Sequence, residues 1–504
     1  MARNFIPCDR EQQLLMPPSL RDWLPADHLA WFTIDSVATL DLSSFYARHR
    51  EDGWGRAAYD PGMMVTLLLY AYAIGVRSAR EIERRCVEDA AFRIITSNNR
   101  IDHTTICRFR QHHQQALEGL FTSVLKLCAD AGLVRPGIVA VDGTKVAANA
   151  SQARNLTEEQ LQELARRVLE EAKRVDAKED ELYGDDRGDQ LPEHLQDRVA
   201  RLDWLQQKLK EHEAAKTGHK PENKNPRINT TDPDSAMQKT AGGWVQGLNG
   251  QAAANENQVI VSADVTSDSN DVNQLESMIT QAQKNLEGTE ARIEKVVADA
   301  GYYSNANAGL DLGVEILIAP TSSRNLDDAI AQRIEPGSGD EQAPRLWKLE
   351  LFLAEHRAAI RVEIMEAYVA EQVTALEAAS ALGLSIQHIY WMAWNLRKVG
   401  RLPATKMPSP PPSPDPKQAM LERFDQPGAR EAYAKRATII EPVFGQIKEA
   451  RGMRRFLHRG LPACRCEWRM VSAAHNLRKA WMADLKGRLS AFLFGFRLSP
   501  ALFP

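Results

Sequence analysis

Several features that would place this 504-residue chain in a familiar class are missing. The longest apolar run, residues 63–76, has 14 residues, whereas a membrane-spanning helix needs about 20. We expect that run to form a buried core helix. The first residues lack the charged-then-apolar layout of a signal peptide, which predicts a cytoplasmic protein without a membrane partner. Six scattered cysteines offer no disulfide framework and no paired zinc-binding motif.

A strong net charge is also missing. The chain has 63 Lys and Arg against 67 Asp and Glu, a formal charge of −4, so its total charge indicates no polyanionic partner. The distribution is uneven, however. Residues 157–215 contain 17 acidic and 10 basic residues, whereas residues 433–488, here called the basic lobe, contain 13 basic and four acidic ones. The acidic stretch predicts a solvated helical hairpin, and the basic lobe predicts a nucleic-acid contact.

Periodicity divides the chain into helical and mixed parts. Residues 1–135 have apolar residues at helical spacing, and basic helices at 78–110 are candidates to lie against DNA. Residues 136–325 alternate short β-branched runs with helical ones, which predicts an α/β fold with a mixed sheet of about five strands. Residues 374–392 have the spacing of a helix-turn-helix or of a plain helical hairpin. Residues 401–416 contain seven prolines and predict a stiff linker.

Three acidic residues each follow an apolar run: Asp142, Asp299 and Glu441. A carboxylate at the end of a buried strand is costly unless a cation or hydrogen-bond donors meet it. Mg²⁺ prefers oxygen ligands, usually one or two carboxylates with water and substrate phosphate. If the three acids converge, they would supply such a site.

Each acid also has a purely structural interpretation. Asp142-Gly143 between alternating apolar residues is the commonest signal for a two-residue hairpin turn. Asp299 fits a strand-end turn or a helix cap. Glu441 fits a capping box that starts at Thr438, with Pro442 marking a helix start nearby.

The basic lobe favours the functional interpretation of Glu441. Lys448 lies two helical turns beyond Glu441, so both side chains project from nearly the same face. An acid for a metal ion and a lysine for phosphate on one face suit a polyanionic substrate.

A set of short stretches, in order from end to end, resembles bacterial insertion-sequence transposases of the DDE class. The stretches are LLMPPSLRDWLPADHL (14–29), YAYAIGVRSAREIE (70–83), residues 102–110, VDGTKVAANA (141–150), DAGY (299–302), EPVFGQIK (441–448) and HNLRK (475–479). The resemblance implies an RNase H-like catalytic core with a helical N-terminal domain and helical insertions. It implies that Asp142, Asp299 and Glu441 are the catalytic residues and the metal ligands.

The resemblance also implies two Mg²⁺ ions, for which Mn²⁺ is expected to substitute, and a DNA substrate consisting of terminal inverted repeats and target DNA. A homodimer on DNA, nucleoid-associated, is expected by family analogy, and no small-molecule substrate is expected. The residues expected to contact DNA are Lys145, Tyr433, Arg436, Lys448, Arg451, Arg454, Arg455, Arg108 and Arg110.

The expected domains follow the same reasoning. They are a helical domain at 1–135, a catalytic core at 136–325 and 430–488 with a charged helical insert at 152–225, a helical insertion at 326–400, a Pro-rich linker and approach at 401–430, and an apolar tail at 489–504. Two departures from the family pattern stand out. Four residues separate Arg436 from Glu441 where related subgroups have three, and residues 322–430 are Pro-rich and predicted to be helical where several relatives carry a β-rich insertion.

The predicted function is therefore binding of the inverted repeats followed by metal-dependent DNA cleavage and strand transfer. Two alternatives remain open at this stage: a non-catalytic, sequence-specific DNA-binding protein, and an RNase H-like nuclease that hydrolyses without strand transfer.

Overall fold

The computed structural model describes residues 20–47, 58–183, 193–214, 227–240, 242–321 and 416–485. The chain divides into two compact units, Met1–Ala319 with Pro427–Pro504, and Pro320–Gln426. Of the second unit the structure describes residues 320–321 and 416–426, which include one helix, α12 (Pro416–Phe424). The remaining elements belong to the first unit.

The N-terminal part of the first unit is helical. Its helices are α1 (Leu29–Ala38), α2 (Ser43–Tyr46), α3 (Pro61–Ala73), α4 (Ala79–Glu88), α5 (Ala90–Ile95), α6 (His103–His112) and α7 (Gln114–Asp130).

Helix α3 is the core of this part. The Asp60 side chain caps its start by accepting a hydrogen bond from Met63 N at 2.8 Å, and Pro61 occupies the first turn. Gly75, with φ of +86°, ends the helical segment in the left-handed region. Most of its side chains are buried, which confirms the core helix predicted from the apolar run. No helix in the described ranges is long and apolar enough to cross a membrane.

A six-stranded mixed sheet follows. Its strands are β1 (Gly137–Ala147), β4 (Ala236–Thr240), β5 (Gly243–Asn255), β6 (Ile260–Thr266), β7 (Ile293–Ala298) and β8 (Glu315–Ile318). The order is β4-β5-β1-β7-β8, and β6 also pairs with β5. Strand β1 is central: it runs parallel to β7 and antiparallel to β5. The sequence predicted the α/β mixture and missed the short strand β4.

Three further helices complete the described α/β part: α10 (Leu275–Asn285), α13 (Ala429–Gly445) and α14 (Leu461–Leu485), with a short helix α11 (Asn305–Ala308). Helix α13 packs on β1, β5 and β7, and α14 contacts β6, α3 and α7. The fully buried Trp468 of α14 donates a hydrogen bond from Nε1 to the Gln251 carbonyl of β5 at 2.8 Å. The N-terminal helices and the sheet therefore share the helix α14.

The charged insert is helical, as predicted. It contains α8 (Glu158–Tyr183) and α9 (Glu193–Ala214), joined to a two-stranded sheet of β2 (Asn155–Thr157) and β3 (Arg227–Asn229). The hairpin is not merely solvated, because it has a small apolar core of its own. The buried residues of that core are Leu161, Val168, Leu202, Leu205, Leu209 and Ile228.

Several sequence-based predictions lie outside the described residues. They include the possible helix-turn-helix at 374–392, nearly all of the 326–430 insertion and linker, and the 489–504 tail. The domain boundaries given above remain predictions.

A buried ion pair links the N-terminal helices to α14. Arg77, which follows α3, pairs with Glu467 of α14, and their side chains are 9% and 0% exposed. The second carboxylate oxygen of Glu467 accepts hydrogen bonds from the backbone N–H groups of Leu457 and His458 at 2.9 and 3.2 Å. Glu467 therefore has no free acceptor after folding, and its charge depends on Arg77.

We predict that Arg77→Ala lowers the free energy of unfolding by about 3–5 kcal/mol, because it leaves the Glu467 carboxylate buried and unpaired. The matched control is Lys295→Ala, which breaks a partly exposed pair with Glu315 and should cost less than about 1 kcal/mol. Urea unfolding of both variants measures the difference. Equal, small losses would contradict the structural role assigned to this pair.

Candidate active site

Two of the predicted acids are neighbours in the sheet. In the parallel pairing of β1 and β7, Val141 lies opposite Ala298. Asp142 and Asp299 each follow the paired residue, so the register places them side by side. Asp299 Oδ1 accepts a hydrogen bond from Gly301 N at 2.9 Å, which fixes one of its oxygens at the strand end. Asp299 thus caps a short 3-10 turn, which agrees with the structural role predicted for it from the sequence. It also lies beside Asp142.

Asp142 lies within a continuous strand, so the hairpin-turn interpretation of Asp142-Gly143 is wrong. The β1–β5 pairing runs without interruption from Val139 opposite Asn255 to Ala147 opposite Gly247. Antiparallel partners on one side and a parallel strand on the other hold this segment extended.

The Asp142 carboxyl is destabilised as an anion. Burial, followed by the negative charge of Asp299, raises its pKa from 3.8 to about 6, against the opposing effect of Arg436. The two carboxylates repel each other when both are charged. A cation bound between Asp142 and Asp299 would relieve that repulsion, so the site favours cation binding.

Glu441 lies within a helix and not at its start, so the capping-box interpretation is wrong. Helix α13 begins at Ala429, and Pro442 is inside it. A proline at this position has no N–H to donate to the carbonyl of Thr438, four residues earlier. Gln258 supplies the missing donor, since its Nε2 lies 3.0 Å from the Thr438 carbonyl oxygen. Gln258 itself has φ of +61°, an uncommon conformation for a residue with a side chain.

Arg436 connects the first and third acids. Its guanidinium lies 3.2 Å from Asp142 Oδ2 and 3.5 Å from Glu441 Oε1. The Arg436 and Asp142 side chains are 15% and 19% exposed, whereas Glu441 is 58% exposed. The extra residue between Arg436 and Glu441 therefore does not prevent their contact. Tyr433 joins this group: burial raises its pKa, and a hydrogen bond with Arg436 opposes that rise.

Lys448 approaches the same strand from the segment after α13, where residues Gln446–Ala450 form a π-helical turn. Its Nζ donates to Thr144 Oγ1 at 2.7 Å and to the Lys145 carbonyl at 2.9 Å. Burial lowers the pKa of Lys448. Two uncharged oxygens of β1 thus hold the partly buried ammonium group of Lys448. They belong to the second and third residues after Asp142.

A fourth carboxylate, Asp271, was not predicted from the sequence. Its Oδ1 accepts hydrogen bonds from Asn249 Nδ2 at 2.6 Å and Gln251 Nε2 at 2.7 Å, and Lys145 Nζ lies 3.5 Å away. Its charge contributes to the raised pKa of Asp142. The sequence offers one weak signal, a polar turn immediately after β6, and nothing that singles out this aspartate among its neighbours.

Gly143 makes room for Asp271. A Cβ atom at this position would lie 2.5 Å from Asp271 Oδ1 and 2.9 Å from Asn249 Oδ1. Asn249 is fully buried, and its Oδ1 has no hydrogen-bond partner in the described structure. The absence of a side chain at 143 is thus a requirement of this polar cluster.

The other residues expected to contact DNA are placed differently. Arg108 is exposed on α6, whereas Arg110 is buried, stacks on Tyr72 and donates to the Arg77 carbonyl at 2.9 Å. Arg110 is therefore better explained as a structural residue than as a DNA contact. Arg454 pairs with Glu449, and Arg455 is exposed beside the end of β1. Arg451 lines a cavity described below.

Two of the three predicted acids are arranged in a way that suits a divalent cation. Asp142 and Asp299 offer two adjacent carboxylates whose mutual repulsion a cation would relieve. Glu441 is instead paired with Arg436, and in the described residues no group of three His, Cys, Asp or Glu side chains is close enough to hold an ion. The first two acids are thus the part of the predicted metal site that this arrangement supplies.

We predict that Gly143→Ala lowers the free energy of unfolding by about 1–3 kcal/mol, because the added methyl group displaces Asp271 or Gln251. Gly119→Ala on α7 is the matched control. A Cβ there meets no atom within 4 Å, and alanine favours the helix by up to about 1 kcal/mol. Thermal unfolding of the two variants should shift in opposite directions, and a neutral Gly143→Ala would contradict the close packing.

We predict that Asp142→Asn stabilises the metal-free protein near about pH 8 by roughly 1–3 kcal/mol. The folded-state pKa of about 6 exceeds the ordinary value of 3.8, so folding favours the neutral acid. The wild type loses stability as the pH rises between these two values and stays less stable above them. The advantage of the variant should disappear below about pH 4. Asp203→Asn, at an exposed acid on α9, should have no such pH dependence in the same melting series.

Two family models match the chain. Residues 18–112 match a model described as "Transposase domain (DUF772)", and residues 410–481 match one described as "Transposase DDE domain". The first covers most of the N-terminal helices, and the second covers α13 with Glu441 and α14 as far as residue 481. No curated protein and no solved structure gave a match.

The second model implies an enzyme of the DNA-cleaving nuclease type, and DDE domains generally use divalent metal ions. The transposase family in turn implies a DNA partner. The two matches, one near each end of the described chain, support an insertion-sequence transposase of the DDE type.

Proposed function

We propose that this protein binds the terminal inverted repeats of its insertion sequence and catalyses metal-dependent cleavage and strand transfer of their DNA. The observation that carries the proposal is the Arg436 guanidinium, which contacts both Asp142 and Glu441. Residues 294 positions apart in the sequence thereby meet. A purely structural role for Asp142 and Glu441 would not require two acids from separate elements to share one cation beside the central strand.

The proposed core is RNase H-like. Its support is the mixed sheet with β1 at the centre, together with Asp142 and Asp299, which follow the last paired residues of the adjacent parallel strands β1 and β7. Strand ends of α/β sheets are common places for catalytic side chains. In this proposal, α13 carries the third acid to the same edge.

Each residue has a proposed task. Asp142 and Asp299, joined by Glu441, would hold the expected pair of Mg²⁺ or Mn²⁺ ions. When bound, these ions would activate a water or a DNA 3′-hydroxyl and stabilise the leaving oxygen of an in-line displacement. Arg436 neutralises Asp142 and Glu441 before substrate binds, and a DNA phosphate would compete for it.

Lys448 would bind a DNA phosphate beside the acids. Its Nζ is already fixed by Thr144 and the Lys145 carbonyl, so little side-chain entropy remains to be lost on binding. Lys145 is paired with Asp271, which makes it a weaker candidate for DNA contact than Lys448. Tyr433 would orient Arg436.

Cleavage of DNA tests the proposal. We expect Asp142→Asn, Asp299→Asn and Glu441→Gln each to reduce Mg²⁺-dependent nicking of DNA carrying the element's ends by at least about 100-fold. Binding of the same DNA should persist. Glu449→Gln is the control, because Glu449 is an exposed acid paired only with Arg454 on the segment after α13.

Two results would overturn the proposal. Undiminished cleavage by any of the three variants would remove that acid from the active site. Binding without cleavage by the wild type in Mg²⁺ or Mn²⁺ would favour a non-catalytic DNA-binding protein. Addition of a second plasmid distinguishes a transposase from a nuclease that only hydrolyses DNA. A transposase gives joined products, and the nuclease does not.

A further inference from the structure

A cavity of about 810 Å³ lies between the N-terminal helices and α14. Its walls come from the end of α3, the turn between α7 and β1, the β5–β6 turn, the π-helical turn after α13 and the last turns of α14. We call it the basic cavity, because its ionisable lining residues are Arg135, Arg451, His475, Arg478 and Lys479. The volume is within the range of about 300–1,000 Å³ that small-molecule sites occupy.

Among the residues that the structure describes, no Asp or Glu side chain lines this cavity. Elsewhere in the basic lobe, arginines have carboxylate partners: Arg465 lies 2.5 Å from Asp264, and Arg469 lies 2.8 Å from Glu118. Arg451 and Arg478 form no ion pair within the described ranges. The charges of Arg451 and Arg478 are therefore not compensated by a carboxylate of the described residues.

The His475 ring, which lines the cavity, has a defined protonation state. His475 is buried, and burial followed by the charge of Arg451 holds its pKa well below the ordinary value. Its Nδ1 lies 2.7 Å from Arg451 Nη2, and its Nε2 lies 2.8 Å from the Gln258 carbonyl. The neutral ring with the proton on Nε2 satisfies both contacts, since Nδ1 then accepts and Nε2 donates.

Arg451 has donor capacity left over. Its Nε is buried and has no hydrogen-bond partner in the described structure. Burial, followed by the charge of Arg478, lowers the pKa of Arg451 to about 10. Repulsion between partly buried cations is costly, and an anion in the cavity would relieve it.

The side chains that line the cavity indicate which kind of ligand it binds. A metal ion would lack carboxylate or other anionic ligands there. Planar guanidinium groups match the oxygens of phosphate in bidentate geometry, and several cations around one space favour a ligand with more than one negative charge. The cavity is too large for a lone inorganic phosphate and is large enough for a phosphate ester.

We propose that the basic cavity is a binding site for phosphate esters, either backbone phosphates of DNA or those of a free nucleotide. Arg135 and Arg478 are exposed and would meet the ligand first, and Arg451 would close on it from below. This site is separate from the residues assigned to cleavage. The DNA source rests on the proposed function, whereas the free-ligand source does not.

The cavity is connected to α13 through Gln258. Its Oε1 accepts hydrogen bonds from Gln446 Nε2 at 3.0 Å and Lys479 Nζ at 2.7 Å, and its Nε2 reaches the Thr438 carbonyl. A phosphate that draws Lys479 into the cavity would disturb the side chain that completes α13 three residues before Glu441. Occupation of the cavity is thus physically linked to the helix that carries the third acid.

Binding measurements with the full chain test this inference. The variants are Arg135→Gln and Arg478→Gln, both at exposed positions, and the control Lys126→Gln removes one exposed charge from α7 outside the cavity. If DNA is the source, each cavity variant should weaken duplex binding by about 3- to 10-fold. Each should also reduce the slope of log affinity against log salt by about 0.9. Lys126→Gln should change neither.

A second arm uses inorganic pyrophosphate and ATP with calorimetric and thermal-shift readouts. If a free phosphate ester is the source, these probes bind the wild type and the control, Arg478→Gln loses most of that binding, and DNA affinity is unchanged. Arg478→Lys, which keeps the charge, should retain part of either binding.

The inference is overturned if folded Arg135→Gln and Arg478→Gln proteins bind DNA with wild-type affinity and salt slope, and if pyrophosphate and ATP bind no protein. This outcome leaves Mg²⁺-dependent cleavage intact. Failure of the proposed function, in contrast, would appear as DNA that is bound but never cut, with the salt slopes still separating the variants.

Discussion

Repulsion between two carboxylates on adjacent parallel strands is the constraint around which the site is arranged. The β1–β7 register places Asp142 beside Asp299 in a largely buried environment, and neither water nor the strands themselves can neutralise them both. Arg436 relieves part of the repulsion from α13, and Lys448 adds a second partly buried cation from the following turn. The sheet supplies the negative charge, and the C-terminal helices supply the positive charge that makes it tolerable.

A proline in the middle of α13 would ordinarily weaken that helix, and the structure compensates at a distance. Pro442 leaves the Thr438 carbonyl without its helical donor, and the Gln258 side chain from the β5–β6 turn replaces it. Gln258 can do so because its backbone adopts a left-handed conformation. The hydrogen bond from Gln258 to the Thr438 carbonyl thus offsets two local costs, one in a helix and one in a turn, and ties α13 to the β5–β6 turn.

Much of this was predictable from sequence, for identifiable reasons. Buried strands followed by acids carry a strong signal, and most of the apolar run 63–76 lies in the core helix α3 because a helix that is apolar on all sides is buried. The hairpin turn predicted at Asp142-Gly143 is wrong, because pairing of β1 with strands on both sides overrides the local preference for a turn. Pro442 misled as a helix start for the same reason, since its compensation comes from 184 positions away, at Gln258. Asp271 and the pairing of Lys145 depend on side chains brought together only by folding.

The long separation between Asp142 and Arg436, 294 positions, has a consequence for how the protein comes into being on the ribosome. The central strand, Asp142 and Asp299 leave the ribosome long before the helix that carries Arg436. Until α13 emerges, the nascent sheet carries an uncompensated acidic edge, and contacts this distant in sequence form slowly. A chain cut before α13 would keep both aspartates without Arg436, so loss of the C-terminal helices would destabilise the sheet and dismantle the candidate site together.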